Sequence, residues 1–128
     1  MSQQNGILDI TFPAATDLRL KQYHVVKSVG SATPYAVQLV SAETDVAYGI
    51  LQNKPNVGEA AVVRVLGTSK LVRGGTAVTE GVQVTTDANG RGIPADADKE
   101  YIIGIALEPG ATALDVFEVL IVHYKASI

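Results

Sequence analysis

Tyr48-Gly-Ile-Leu-Gln-Asn-Lys-Pro55, followed by Asn56-Val-Gly-Glu-Ala-Ala61 and Val62-Val-Arg-Val65, sets out a pattern that the chain repeats. The second copy reads Ile103-Gly-Ile-Ala-Leu-Glu-Pro109, then Gly110-Ala-Thr-Ala-Leu-Asp115, then Val116-Phe-Glu-Val119. In each copy a glycine opens a short apolar strand and a proline follows five or six residues later. A valine stands seven residues beyond each proline, and another three residues after that. Strand, turn and strand is the grammar of a β-hairpin. An isolated hairpin is marginal in water, so two such units with the strands between them are expected to close around a shared core. Arg64 and Glu118 fall at matching places in the two copies.

The rest of the chain agrees with an all-β reading. Gln22–Val29 and Ala36–Val40 are β-rich runs joined by Gly30-Ser-Ala-Thr-Pro34, a hairpin connection. After Val65, Leu66-Gly67-Thr68 and Lys70–Arg73 predict a further strand that ends at Gly74-Gly75. Val78–Thr85 alternates apolar with polar around Gly81, and Asp87-Ala-Asn-Gly90 is a strong turn signal. Pro94–Glu100 predicts a single helical turn, because proline at the first position and early acids favour one. No longer segment has helical periodicity with caps. The expectation is a small β-barrel or sandwich of short antiparallel strands, formed by residues 21–128.

Residues 1–20 read differently. Ile7, Leu8, Ile10, Phe12, Leu18 and Leu20 are apolar, but Pro13-Ala-Ala-Thr-Asp17 interrupts them. The segment is too broken to be a domain and too apolar for a solvated tail. It is either an extended N-terminal arm lying on a neighbouring subunit or partner, or an edge strand of the chain's own sheet.

At 128 residues the chain has the length of one domain. No apolar run approaches the roughly 20 residues of a membrane-spanning helix. Met-Ser-Gln-Gln-Asn at the start lacks the basic and apolar regions of a secretory signal. There is no cysteine, which removes disulfides, thiolate metal sites and thiol nucleophiles together. The net charge of −3 carries no basic cluster, and two phenylalanines and five tyrosines without tryptophan make a poor base-stacking platform. Nucleic acid is therefore not an expected partner. High apolar content with few aromatics and modest charge suits burial against another protein.

The residues that catalysis needs are not assembled in the sequence. His24 and His123 stand in different strands, without a carboxylate at ligand-like spacing, and no serine sits in a Gly-x-Ser-x-Gly elbow. Asp87, Asn89, Asp96 and Asp98 supply oxygen ligands, but no EF-hand loop with its terminal acid, so they read as turn and surface residues. The glycines at 74, 75, 90 and 92 lack the helix and Lys-Ser/Thr pair of a phosphate loop. No catalytic residue, cofactor or metal is assigned, and the chain does not read as an enzyme.

Gly49-Ile-Leu-Gln-Asn-Lys-Pro55 with Gly58-Glu-Ala-Ala-Val-Val-Arg-Val65 resembles the signature of head decoration (capsid cement) proteins of tailed bacteriophages. The likeness continues through Gly67-Thr-Ser-Lys-Leu-Val72, Gly81, Gly90 and Ile103–Glu108, and covers roughly residues 21 to 124. The turn Pro109–Asp115 departs from the Gly-Glu pair more usual there.

The resemblance implies a virion protein on the outer surface of the head that clamps the major capsid protein. It implies a homo-oligomer, a trimer more often than a dimer, and an N-terminal arm that binds the shell. Ile7, Leu8, Ile10, Phe12, Leu18 and Leu20 are then the arm's candidate contacts. The competing reading is a small glycan- or ligand-binding β module displayed on a particle, drawing on Tyr23, Tyr35, Tyr48, Tyr101 and Tyr124. An oligomeric β enzyme such as a nucleotide hydrolase ranks below both.

Overall fold

In a computed structural model, which describes residues 6–30 and 35–126, the chain forms nine strands. They are β1 (Gly6–Pro13), β2 (Val25–Ser28), β3 (Val37–Leu39), β4 (Gly49–Leu51) and β5 (Ala60–Val72). β6 (Gln83–Thr86), β7 (Gly92–Pro94), β8 (Tyr101–Ala106) and β9 (Val116–Lys125) complete the set. Every pairing between them is antiparallel, and no helix occurs among the described residues. The all-β expectation is met.

Both hairpins of the repeated pattern form. Ile50 faces Arg64 across the β4–β5 pair, and Ile105 faces Leu120 across β8–β9. The copies therefore differ in register, since the position matching Arg64 is Leu120 and not Glu118. Glu118 instead lies opposite Lys70.

The thirteen residues of β5 organise the molecule. The separate strand expected after Val65 is a continuation of the same one, carried through Gly67 at φ 108°. That backbone conformation is open to glycine and strained for other residues. Before Gly67, β5 pairs with β4 on one side and β1 on the other; from Thr68 onward β9 takes over the edge that β1 leaves.

The sheet order β3-β2-β4-β5-β9-β8-β6-β7 curls into a half-barrel. Its last strand returns to the end of β5, where Arg73 bridges Gly92 and the Gly74 N–H donates to the Gly92 carbonyl at 2.8 Å.

Two apolar clusters result. Val25, Ile50, Leu71, Val84, Ile103 and Phe117 belong to the larger cluster. Ala14, Leu18, Val26, Val37, Leu51 and Val63 form a second cluster. Neighbours in sequence, Val25 with Val26 and Ile50 with Leu51, enter different clusters. Successive side chains of a strand point to opposite faces, so this part of the sheet is buried on both.

Of the segment expected as an arm over residues 1–20, residues 1–5 lie outside the described residues. Residues 6–13 are β1, zipped along β5 from Gly6–Gly67 to Pro13–Ala60. Ala14 and Leu18 belong to the second cluster, and their N–H groups donate to the Glu59 and Pro55 carbonyls, each at 2.9 Å. The expected 30–34 connection joins β2 to β3, but its residues 31–34 lie outside the described residues.

The helical turn expected at Pro94–Glu100 does not form. The Glu100 side chain accepts hydrogen bonds from the Asp96 and Ala97 N–H groups, both at 2.8 Å, and Lys99 takes a positive φ. A carboxylate that caps these amides from the end of the segment favours a closed turn over a helix.

Candidate functional site

The most exposed apolar surface with an open backbone is β1. Ile7 is 79 % exposed, Leu8 44 % and Ile10 39 %, and Leu66, opposite Leu8 on β5, is 44 % exposed. Asp9 is the one charged residue of β1, and Arg64 holds it at 2.9 Å. Among the described strands β1 pairs with β5 alone. Its outer edge therefore presents N–H and C=O groups flanked by apolar side chains, an arrangement suited to receiving another protein.

The six residues expected to contact a partner thus divide. Ile7, Leu8 and Ile10 are each exposed on β1. Phe12 is half-buried and stacks on Tyr48 with ring centroids 5.1 Å apart. Leu18 is 1 % exposed, so its side chain is committed to this chain's own core. Leu20 is 89 % exposed and lines a different feature.

That feature is a surface cavity of about 680 Å³ lined by Arg19, Lys21, Lys54, Arg91, His24 and Leu20, among others. Two of its four cations are paired, Arg19 with Asp17 at 2.8 Å and Arg91 with Asp87 at 3.0 Å. The hydrogen bond from Arg19 holds the Asp17 carboxyl down at about 2. His24 is buried, with Nδ1 3.1 Å from the Gln22 carbonyl oxygen. Desolvation pushes its pKa below the usual histidine value, and Lys21 and Arg91 push the same way.

His123 stands apart from His24. Its Nε2 is 2.9 Å from the Val65 carbonyl oxygen, which can only accept, so Nε2 carries the proton. Nδ1 is then the acceptor for the Tyr101 hydroxyl at 3.2 Å. Both ring nitrogens are engaged in joining β5, β8 and β9. Burial raises the Tyr101 pKa.

A cluster of acids forms between the loop after β3 and the turn before β8. Glu43, Asp96 and Glu100 each offer a carboxylate oxygen within 4.8 Å of the others. The Glu43 carboxyl is pushed up to about 7, first by its hydrogen-bonding contact with Glu100, then by burial and by the charge of Glu100. Burial would raise Glu100 as well, but hydrogen bonds from Glu43 and from the Ala97 and Asp96 amides outweigh it, and its pKa is lowered.

Comparison with known proteins places these features in a family. The family model described as phage cement protein matches residues 1–121. The chain belongs to the phage cement proteins. Among solved structures, it is similar to the head fiber gp8.5 N base of bacteriophage phi29, with a TM-score of 0.70 and 18 % identity. That likeness covers 94 % of this chain and 98 % of the other and concerns the fold. A search of curated proteins finds no match. A cement protein is a structural, capsid-associated component of the phage head, which is the identity the repeated hairpins resembled.

The tyrosines of this cement protein have separate surroundings. Tyr48 stacks on Phe12, Tyr101 meets His123, and Tyr23 lies under the Lys70 ammonium at 5.8 Å. Tyr35 and Tyr124 are exposed. Sequence reasoning missed Leu66, whose exposure follows from its pairing with Leu8, and it missed Glu43 and Glu100 as companions of Asp96. The acid-rich run 94–100 was a visible signal; Glu43, on another loop, gave none.

Proposed function

We propose that this cement protein binds the outer surface of the assembled head through β1 and stabilises the lattice of the major capsid protein. Ile7, Leu8 and Ile10, with Leu66 beside them, are the contact residues, and the partner covers both their side chains and the open edge of β1. The protein acts as a homo-oligomer, a trimer at the junctions of capsid subunits, and catalyses no reaction. The observation that carries this reading is an edge strand with exposed apolar side chains in a member of a capsid-binding family. Natural sheets usually guard such an edge with charge, proline or a covering element.

The mechanism is mass action. A ligand that binds only the intact lattice stabilises it by RT ln(1 + [L]/Kd), about 3 kcal/mol for each site at a hundredfold excess over Kd. Repeated over a shell, that opposes the outward pressure of packaged DNA. Purified heads lacking the protein, heated with and without it, test the role. Added protein should raise the temperature at which heads release DNA, and an unchanged release temperature at saturating protein would refute stabilisation.

A further inference from the structure

We infer that Glu43, Asp96 and Glu100 form a binding site for a hard divalent cation of the calcium class, which fastens the loop after β3 to the turn before β8. Glu100 is 2 % exposed. Its Oε1 is taken by the Asp96 and Ala97 amides, while its Oε2 is buried and meets no N–H or hydroxyl donor, which leaves the Glu43 carboxyl as its neighbour. A buried carboxylate oxygen without a donor is costly, and two further carboxylates crowd the same spot. No ion pair among the described residues reaches any of the three. Either a cation or a proton held by Glu43 offsets that crowding, and a cation can meet all three carboxylates at once.

The geometry suits a cation. Oxygen ligands about 2.3–2.6 Å from a central calcium ion lie up to about 5 Å from one another, and the three carboxylates fall within 4.8 Å. An all-carboxylate set selects calcium, magnesium or manganese over zinc or copper. Glu43 and Asp96 reach the surface, so water can supply the rest of a six- to eight-fold calcium shell, without the near-ideal octahedron that magnesium demands. The site also lies where the loop after β3 meets β8 and β6. The Tyr101 N–H at the start of β8 donates to the Glu43 carbonyl at 2.8 Å, and the Thr85 hydroxyl of β6 donates to the Tyr101 carbonyl at 2.9 Å. A cation at the carboxylates would reinforce that seam.

The test uses the full chain with Tb³⁺ and Ca²⁺. Tb³⁺ luminescence, sensitised by Tyr101 next to Glu100, should saturate and be displaced by Ca²⁺ at about 1 mM or below. The melting temperature should be higher in Ca²⁺ than in EDTA. Asp96→Asn and Glu43→Gln, both at accessible positions, should weaken Ca²⁺ about tenfold or more and erase the thermal difference, whereas Asp115→Asn should not. Equal melting temperatures in Ca²⁺ and EDTA with no saturable Tb³⁺ signal would overturn the site and leave a proton shared by Glu43 and Glu100 as the neutralising charge. Full Ca²⁺ affinity in both variants would overturn the ligand assignment.

Discussion

Gly49 lies so close to Arg64 that a Cβ on it would collide with the Arg64 carbonyl oxygen, and the same relation recurs between Gly104 and Leu120 at 2.9 Å. Arg64 and Leu120 are register-equivalent in the two hairpins. The glycines that open the two copies of the pattern therefore share one cause: each lets a strand press against the backbone of its partner. Gly49→Ala and Gly104→Ala should each destabilise the fold by about 1–3 kcal/mol, the usual cost of overpacking, with Gly49 the more damaging. Urea denaturation of the two variants checks both the size and the order.

Leu18 and Leu20 are two residues apart and have opposite fates. Leu18 is 1 % exposed and Leu20 89 %. Leu18→Ala should cost about 2–5 kcal/mol, as for a buried leucine that leaves a cavity. Leu20→Ala should stay within about 0.5 kcal/mol of the wild type. Equal effects would mean that residues 14–18 do not pack as described.

The ion pair between Arg64 and Asp9 is the polar clasp on β1. Arg64 Nε donates to Oδ1 at 2.9 Å and Nη2 to Oδ2 at 3.2 Å. Asp9 is partly exposed, so Asp9→Asn should cost no more than about 1 kcal/mol globally. The effect should concentrate in β1, as faster amide hydrogen exchange over residues 7–12 than over β8.

His24 makes stability depend on pH in a definite direction. Its folded pKa lies below the ordinary 6.5, chiefly through desolvation, so the unfolded chain takes up the proton first. Its contribution is fully present above 6.5 and is lost as pH falls through the folded value. Comparing wild type with His24→Gln by thermal melts from neutral pH downward should show the wild type losing more stability on acidification. Parallel curves would contradict a neutral, buried His24.

Much of the fold was legible because its punctuation is chemical. The Asp87–Gly90 turn, the prolines at 55 and 109 and the glycines at 49 and 104 mark hairpins whatever surrounds them. What failed to show was whatever depends on distant partners. Gly67 reads as a strand break, yet β5 passes through it because β1 and β9 divide its edge there. Pro94 and the acids after it read as a helix start, but the Glu100 carboxylate claims the amides such a helix would use. The apolar residues of 1–20 read alike; only a place in the cluster with Val26, Val37 and Leu51 separates Leu18 from Ile7. For the same reason Glu43 could not be joined to Asp96 and Glu100 by reading along the chain.

Docking through β1 is the claim on which the functional account rests, and binding of the labelled protein to purified heads measures it. A variant carrying Ile7→Ser, Leu8→Ser and Ile10→Ser should keep the wild-type fold, since these side chains are exposed. At about 1 kcal/mol lost per side chain, affinity should fall about a hundredfold or more. Wild-type affinity in that variant would contradict the account.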